Sequence, residues 1–176
     1  MFTLVIGGAA SGKSECAESL VLASPRHPRY YIATMEPFGA EGRSRVEKHR
    51  NMRADKQFET IECYTSLASV RLPRRGAVLL ECLGNLSANE LYSPAGAGSR
   101  PEAFAAIVDG VDALLGQCDE LVVVGNEVFA GGNQYAEGTE DYLRLMADVN
   151  RALAKRADRV CEVVCSLPRY YKGAAR

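Results

Sequence analysis

Phe2-Thr3-Leu4-Val5-Ile6-Gly7-Gly8-Ala9-Ala10-Ser11-Gly12-Lys13-Ser14 is the stretch that decides how this chain is read. Phe2 to Ile6 is a short apolar run of the kind buried as a strand, and from Gly12 onward Cys16, Ala17 and Leu20 recur at helical spacings. Between them Gly7 to Ser14 fits G-x-x-x-x-G-K-[ST], in the strand, loop, helix context that the motif's mechanism requires. Glycines let backbone N–H groups wrap around phosphate oxygens, and the helix N-terminus adds partial positive charge. Lys13 reaches the terminal phosphates and Ser14 can ligate Mg²⁺. The chemistry expected is binding of a nucleoside triphosphate by Gly7, Gly8, Ala9, Ala10, Ser11, Gly12, Lys13 and Ser14. The motif names a ligand class and leaves the reaction open.

Working outward, Arg29 to Thr34, Phe58 to Cys63, Ala77 to Cys82, Glu120 to Gly125 and Arg159 to Cys165 read as further strands. Ala77 to Cys82 and Glu120 to Gly125 are continuous apolar runs, as in strands buried on both faces. Helical patterns cover Glu41 to about Asp55, Leu83 to Leu91, Pro101 to Leu115 and Thr139 to Ala157, the last with Thr139 placed to cap it and acidic Glu140 and Asp141 behind. Alternating strands and helices predict an α/β fold with a parallel sheet. With the loop motif on the first strand, the expected architecture is a P-loop, RecA-like three-layer sandwich whose central sheet is mostly parallel. A chain of 176 residues has room for one sizeable core, so residues 1–176 are read as a single catalytic domain. Ser93 to Arg100 and Phe129 to Gly138 read as loops, and the second, following a strong strand, is placed to act as a lid.

Composition narrows the function. With 47% hydrophobic and 24% charged residues and a formal charge of −1, the chain is ordinary globular material without a whole-domain grip on nucleic acid. Its apolar runs fall far short of the roughly 20 residues of a membrane helix, and its start does not read as a signal peptide. A soluble, cytoplasmic protein is expected. The six cysteines form no C-x-x-C pair and are expected to be reduced, and with two histidines in the chain no His-rich zinc site is expected.

A phosphate site of this type needs an acid near its metal, commonly at a strand end. Glu81 and Glu127 are both so placed, and sequence does not choose between them. Of the histidines, His27 lies in a Pro-flanked turn and reads as solvated. His49 lies in Arg45-Val46-Glu47-Lys48-His49-Arg50-Asn51-Met52-Arg53, where helical spacing puts Arg45, His49 and Arg53 on one face. An imidazole among guanidiniums would favour its neutral, nucleophilic form, although by pattern alone the segment reads as a solvated charged helix.

Taken together, Gly7 to Ser14, Tyr31-Ile32-Ala33-Thr34, Arg45 to Arg50 with Arg53, Thr60-Ile61-Glu62, Leu80-Glu81-Cys82-Leu83 with Asn89, and Asn126-Glu127-Val128 resemble one family in order and spacing. It is the bifunctional adenosylcobinamide kinase/adenosylcobinamide-phosphate guanylyltransferase family of cobalamin biosynthesis. The similarity runs from residue 2 to about Lys172, through Asn150 and Leu167-Pro168. It implies that His49 is the nucleophile that attacks the α-phosphorus of GTP and carries GMP as a phosphoramidate. It also implies nucleotide contacts at Gly7 to Ser14, Ala33, Thr34, Met35, Arg50, Asn51, Met52, Arg53, Glu62 and Glu81. Mg²⁺, ATP and GTP as substrates, adenosylcobinamide or its phosphate as acceptor, and a homotrimer are implied with them.

The chain departs from the family pattern in places. Phe129-Ala130-Gly131-Gly132 follows Asn126-Glu127-Val128 where the family has a Gly and then a Gly-Ile-Val-Pro-like turn, and Glu140 stands near the position of its Arg. Phe58 replaces a tryptophan, one extra residue lies between Arg53 and Glu62, and Gly84 replaces a Thr. The rival readings are a P-loop kinase of another small alcohol, with His49 only binding phosphate, and a non-catalytic GTP-binding module.

Overall fold

The segments read as strands form strands: β1 (Phe2–Ile6), β2 (Arg29–Ala33), β3 (Phe58–Glu62), β4 (Ala77–Leu80), β5 (Glu120–Val124) and β6 (Arg159–Val164). The computed structural model describes residues 1–37, 56–128 and 139–174. The helix expected over 41–55, with His49 and Arg50 to Arg53, and the loop 129–138 lie outside these residues.

The strands form one sheet in the order β3-β2-β4-β5-β1-β6-β7, and β1 to β6 are parallel. Leu4 on β1 stands between Val123 of β5 and Val160 of β6, and Leu80 of β4 pairs with Ile32 and Val123. Because side chains alternate across a strand, Leu4, Ile32, Val78, Leu80, Leu121 and Val123 face one way, and Val5, Tyr31, Leu79, Val122 and Val124 the other. Both sets are buried, which explains why β4 and β5 read as unbroken apolar runs.

Helices cover both faces. α1 (Lys13–Leu22) lays Ala17 and Val21 on the second set. α2 (Leu83–Tyr92), α3 (Arg100–Gln117) and α4 (Thr139–Arg156) lay Leu83, Leu86, Ile107, Leu114, Leu145, Val149 and Leu153 on the first. This is the α/β, RecA-like three-layer sandwich that the loop motif predicts. Truncating a fully buried leucine such as Leu80 would cost about 2–5 kcal/mol. Thr139 is the first residue of α4. Among the described residues no helix is long and apolar enough to cross a membrane.

One strand was not legible beforehand. β7 (Leu167–Lys172) runs antiparallel along the outer edge of β6, joined to it by a two-residue turn at Cys165 and Ser166. Both turn residues have positive φ, 49° and 62°, as tight hairpin turns require. The Asn or Gly that usually signals such a turn is missing, and Pro168 argues against a strand except at a sheet edge, where β7 lies.

Candidate active site

Parallel strands bring their carboxyl ends to one edge, so Gly7, Thr34, Glu81 and Gly125 follow β1, β2, β4 and β5 on the same side of the sheet. The Gly7 to Ser14 loop turns sharply there. Ala10 has φ 55° and Gly12, which precedes the first turn of α1, has φ 86°. A side chain at Gly12 would be strained by that backbone and would also meet the Ser166 hydroxyl, 2.5 Å from its Cβ.

Three carbonyls of the loop are held, two from outside it and one by Lys13 at its end. Glu127 N–H donates to the Gly7 oxygen at 3.0 Å, the Lys13 ammonium to the Gly8 oxygen at 3.0 Å, and Ser166 N–H to the Ser11 oxygen at 2.8 Å. The Lys13 bond uses one of the ammonium's three donors. Ser14 is exposed in the first turn of α1.

Beside the loop, the end of β4 is knit to the end of β2. Glu81 N–H donates to the Ile32 carbonyl at 3.1 Å, and one Glu81 carboxylate oxygen accepts Thr34 N–H at 3.1 Å. Thr34 Oγ1 donates to the Cys82 carbonyl at 3.0 Å. The Asn89 amide, on α2, donates to the Thr34 and Tyr64 carbonyls, each at 2.9 Å. Asn126, after β5, accepts from Cys82 Sγ at 3.3 Å and from Gly84 N–H at 3.2 Å, while Asn150 of α4 donates to the Asn126 carbonyl at 3.1 Å.

Burial pushes the Cys82 thiol up, and the Asn85 and Gly84 N–H groups, the Glu81 carboxylate and the Lys13 ammonium modify that shift. The thiol therefore remains protonated and donating, and it stands within the fields of both the P-loop lysine and the β4 carboxylate. Gly84 is closely approached by two side-chain ends: a Cβ there would lie 2.8 Å from Asn126 Oδ1 and 3.0 Å from the Tyr142 hydroxyl, so a larger residue would require those side chains to shift. The departure at Gly84 is thus matched by neighbours that close in on it.

The structure divides the residues singled out from sequence. The loop from Gly7 to Ser14 and Glu127 are in direct contact. Glu81 stands two strand spacings from β1, about 10 Å at the usual separation. Ala33, Thr34 and Met35 stand a further strand away, and Glu62, exposed at the end of β3 with the Tyr64 hydroxyl on its carboxylate at 2.9 Å, stands at the sheet's edge. His27 is exposed, as its Pro-flanked position predicts. Sequence does not single out Cys82, Tyr142 or Ser166 as site residues; Cys82 and Ser166 follow strands β4 and β6, and Tyr142 lies in the first turns of α4. Oxygen donors at Ser14, Glu81 and Glu127 suit a hard cation such as Mg²⁺, which keeps few protein ligands beside nucleotide phosphates. Among the described residues no cluster of three or more His, Cys, Asp or Glu could hold a metal by itself.

The chain matches the model of the family described as cobinamide kinase/cobinamide phosphate guanyltransferase over residues 3–170. It is 33% identical over 183 residues to the bifunctional adenosylcobalamin biosynthesis protein CobU of Salmonella typhimurium, covering 95% of this chain and 97% of that protein. It is 30% identical over 179 residues to the protein of the same name in Escherichia coli, with 95% and 97% covered. It is also 30% identical over 177 residues to the bifunctional adenosylcobalamin biosynthesis protein CobP of Pseudomonas aeruginosa, with 98% of each covered. With a P-loop at the head of its sheet and a match along almost its whole length, the chain belongs to the cobinamide kinase/cobinamide phosphate guanyltransferase family.

Proposed function

We propose that this protein performs both reactions of its family on one corrinoid: it phosphorylates adenosylcobinamide with ATP or GTP, then transfers GMP from GTP to the phosphate, giving adenosylcobinamide-GDP. The observation that carries this reading is the phosphate cradle at β1, with the ends of β4 and β5 beside it, in a chain matched to the family over residues 3–170. Gly7 to Ser14 bind the nucleotide phosphates, and the Lys13 ammonium offsets charge that builds up as a phosphoryl group is transferred. Ser14 with Glu81 or Glu127 would hold Mg²⁺, which when bound neutralises phosphate charge.

His49 carries the second reaction. Its neutral ring nitrogen attacks the α-phosphorus of GTP, forming an N–P bond as the bond to pyrophosphate breaks. An oxygen of the corrinoid phosphate then attacks the same phosphorus, the N–P bond breaks, and the imidazole is restored. Arg50, Asn51, Met52 and Arg53 follow it in sequence and, with Ala33, Thr34, Met35, Glu62 and Glu81, complete the nucleotide contacts. Family membership also leads us to expect a homotrimer, which sedimentation equilibrium would read as three chain masses.

Labelled GTP tests the histidine step. Label at the α-phosphorus should remain on the protein with a mass gain of one GMP, whereas label at the γ-phosphorus should not. The adduct should be lost in acid and persist in base, as a phosphoramidate does. His49→Ala should abolish labelling and spare much of the kinase reaction; His27→Ala should change neither. Protein labelled from the γ position, or labelled despite His49→Ala, would promote the simple-kinase reading.

A further inference from the structure

The hairpin tip between β6 and β7 rests on the phosphate loop. Ser166 N–H donates to the Ser11 carbonyl at 2.8 Å, and the Ser166 hydroxyl sits where a Gly12 side chain would be, 2.5 Å from its Cβ position. Two backbones in left-handed conformations face each other here, Ala10 and Gly12 on one side and Cys165 and Ser166 on the other. Non-glycine residues hold that conformation at a cost, and it persists where the surroundings enforce it. The hairpin itself is anchored away from the loop by pairing along β6 and by the Tyr171 hydroxyl on the Glu162 carboxylate at 2.6 Å.

In a trans peptide the C=O of one residue and the N–H of the next point in opposite directions. Pinning the Ser11 carbonyl to Ser166 therefore turns the Gly12 N–H the other way, away from the hairpin. The Glu127 bond to the Gly7 carbonyl likewise turns Gly8 N–H away from Glu127. We infer that Ser166 is a positioning residue for the kinase: the β6–β7 turn fixes the Ser11–Gly12 peptide so that its N–H is aimed at a nucleotide phosphate before the nucleotide arrives. This rests on the reading of Gly7 to Ser14 as the nucleotide site.

The test compares variants in the full-length protein, with MgATP as the probe. Ser166→Leu keeps the N–H but forces bulk against Gly12, so the KM and Kd for MgATP should rise tenfold or more, while the KM for adenosylcobinamide stays within twofold. Ser166→Gly and Ser166→Ala, which keep the N–H and need no extra space, should stay within twofold of the parent. Tyr171→Ala removes one side-chain contact of the hairpin but leaves its β6 pairing and the Ser166 contact in place, so the MgATP KM should be unchanged. Normal MgATP affinity in Ser166→Leu, with affinity lost in Lys13→Ala, would overturn the positioning role; normal affinity in Lys13→Ala would overturn the nucleotide site itself. Amide hydrogen exchange on the unaltered protein gives a second check that does not depend on a variant folding. Ser166 is exposed, so its N–H should owe its protection to Ser11 and be slow without nucleotide, and Gly12 N–H should slow when MgATP is added. Rapid exchange at Ser166 in the free protein would also overturn the inference.

Discussion

At the carboxyl end of β1 the chain makes a site out of backbone, whereas at the ends of β4 and β2, on the same edge, it uses side chains. The P-loop sets its peptides by left-handed residues and by carbonyls bound to Glu127, Lys13 and Ser166. The neighbouring region relies on Glu81, Thr34 and Asn89, whose polar atoms mostly bind one another's strands. A backbone cradle tolerates little change in residue type but holds its donors ready. A side-chain network holds strand ends together, and part of each functional group is occupied in doing so. Variants in the first region should therefore change catalysis with little loss of stability, whereas variants in the second should lower stability, with catalysis changed as well where a charge is lost.

The largest expected effect is that of Lys13→Ala. Its ammonium is held over the loop by the Gly8 carbonyl at 3.0 Å, placed to meet charge on a transferred phosphoryl group. Loss of one such contact raises a barrier by about 2.7–4 kcal/mol, a hundredfold to a thousandfold in rate. Steady-state phosphorylation of adenosylcobinamide should fall by that amount with the melting temperature almost unchanged. Near-normal turnover would mean that the Lys13 ammonium does not serve the kinase step.

Glu81 should respond to the choice of substitution. Glutamine keeps an oxygen to accept Thr34 N–H but loses the charge, whereas alanine leaves that N–H unpaired at a cost of about 1–3 kcal/mol. Should Glu81 hold the metal, Glu81→Gln will raise the Mg²⁺ concentration for half-maximal kinase activity by roughly tenfold, one lost charge-assisted contact. Glu81→Ala will add a lower melting temperature. An unchanged Mg²⁺ curve in Glu81→Gln, with a shifted one in Glu127→Gln, would assign the metal to the end of β5.

How much of this could be read from sequence follows the same division. The P-loop is a local motif whose mechanism lies in contiguous residues, so Gly7 to Ser14 and the flanking β1 and α1 were legible. Buried strands announced themselves as apolar runs. The outer strand β7 did not, because an edge strand needs no apolar face and its turn uses Cys165 and Ser166 in place of glycine or asparagine. Contacts made across the fold were equally hidden: nothing local in Ser166 marks it as a neighbour of Gly12, 154 residues earlier in number, and nothing in Gly84 shows that Asn126 and Tyr142 fill the space beside it.

Asn89→Ala probes the side-chain region without touching a charge. It would leave the Thr34 and Tyr64 carbonyls without their Asn89 donor inside the protein, at about 1–2 kcal/mol. Thermal unfolding should show a melting temperature lower by about 2–8 °C for a chain of this size. The KM for MgATP should stay within twofold, because the P-loop is held by other partners. A large rise in that KM with no change in melting temperature would erase the distinction between the two regions.

The smallest effect expected comes from three cysteines that lie behind these regions. Burial pushes the thiols of Cys63, Cys118 and Cys161 up to about 11, from an ordinary value of 9.0, and nearby Glu90 adds to the shift at Cys63. Cys63 ties β3 to β2 through its N–H on the Ala33 carbonyl at 2.9 Å, while Cys161 lies on β6 beside the P-loop strand. Between pH 9 and 11 the folded chain keeps protons that the unfolded chain has released, so stability falls as pH rises through that interval and is fully present below it. The melting temperature should therefore decline from pH 9 to 11, and Cys63→Ala and Cys161→Ala should each flatten the decline. If a thiolate at Cys63 loosens the side-chain region first, hydrogen exchange at Thr34 and Cys63 should quicken at a lower pH than at Ser166, whose N–H is held by the P-loop. Simultaneous loss of protection at all three positions would show that the two ends of the sheet open as one unit, and that their contrast lies in chemistry alone.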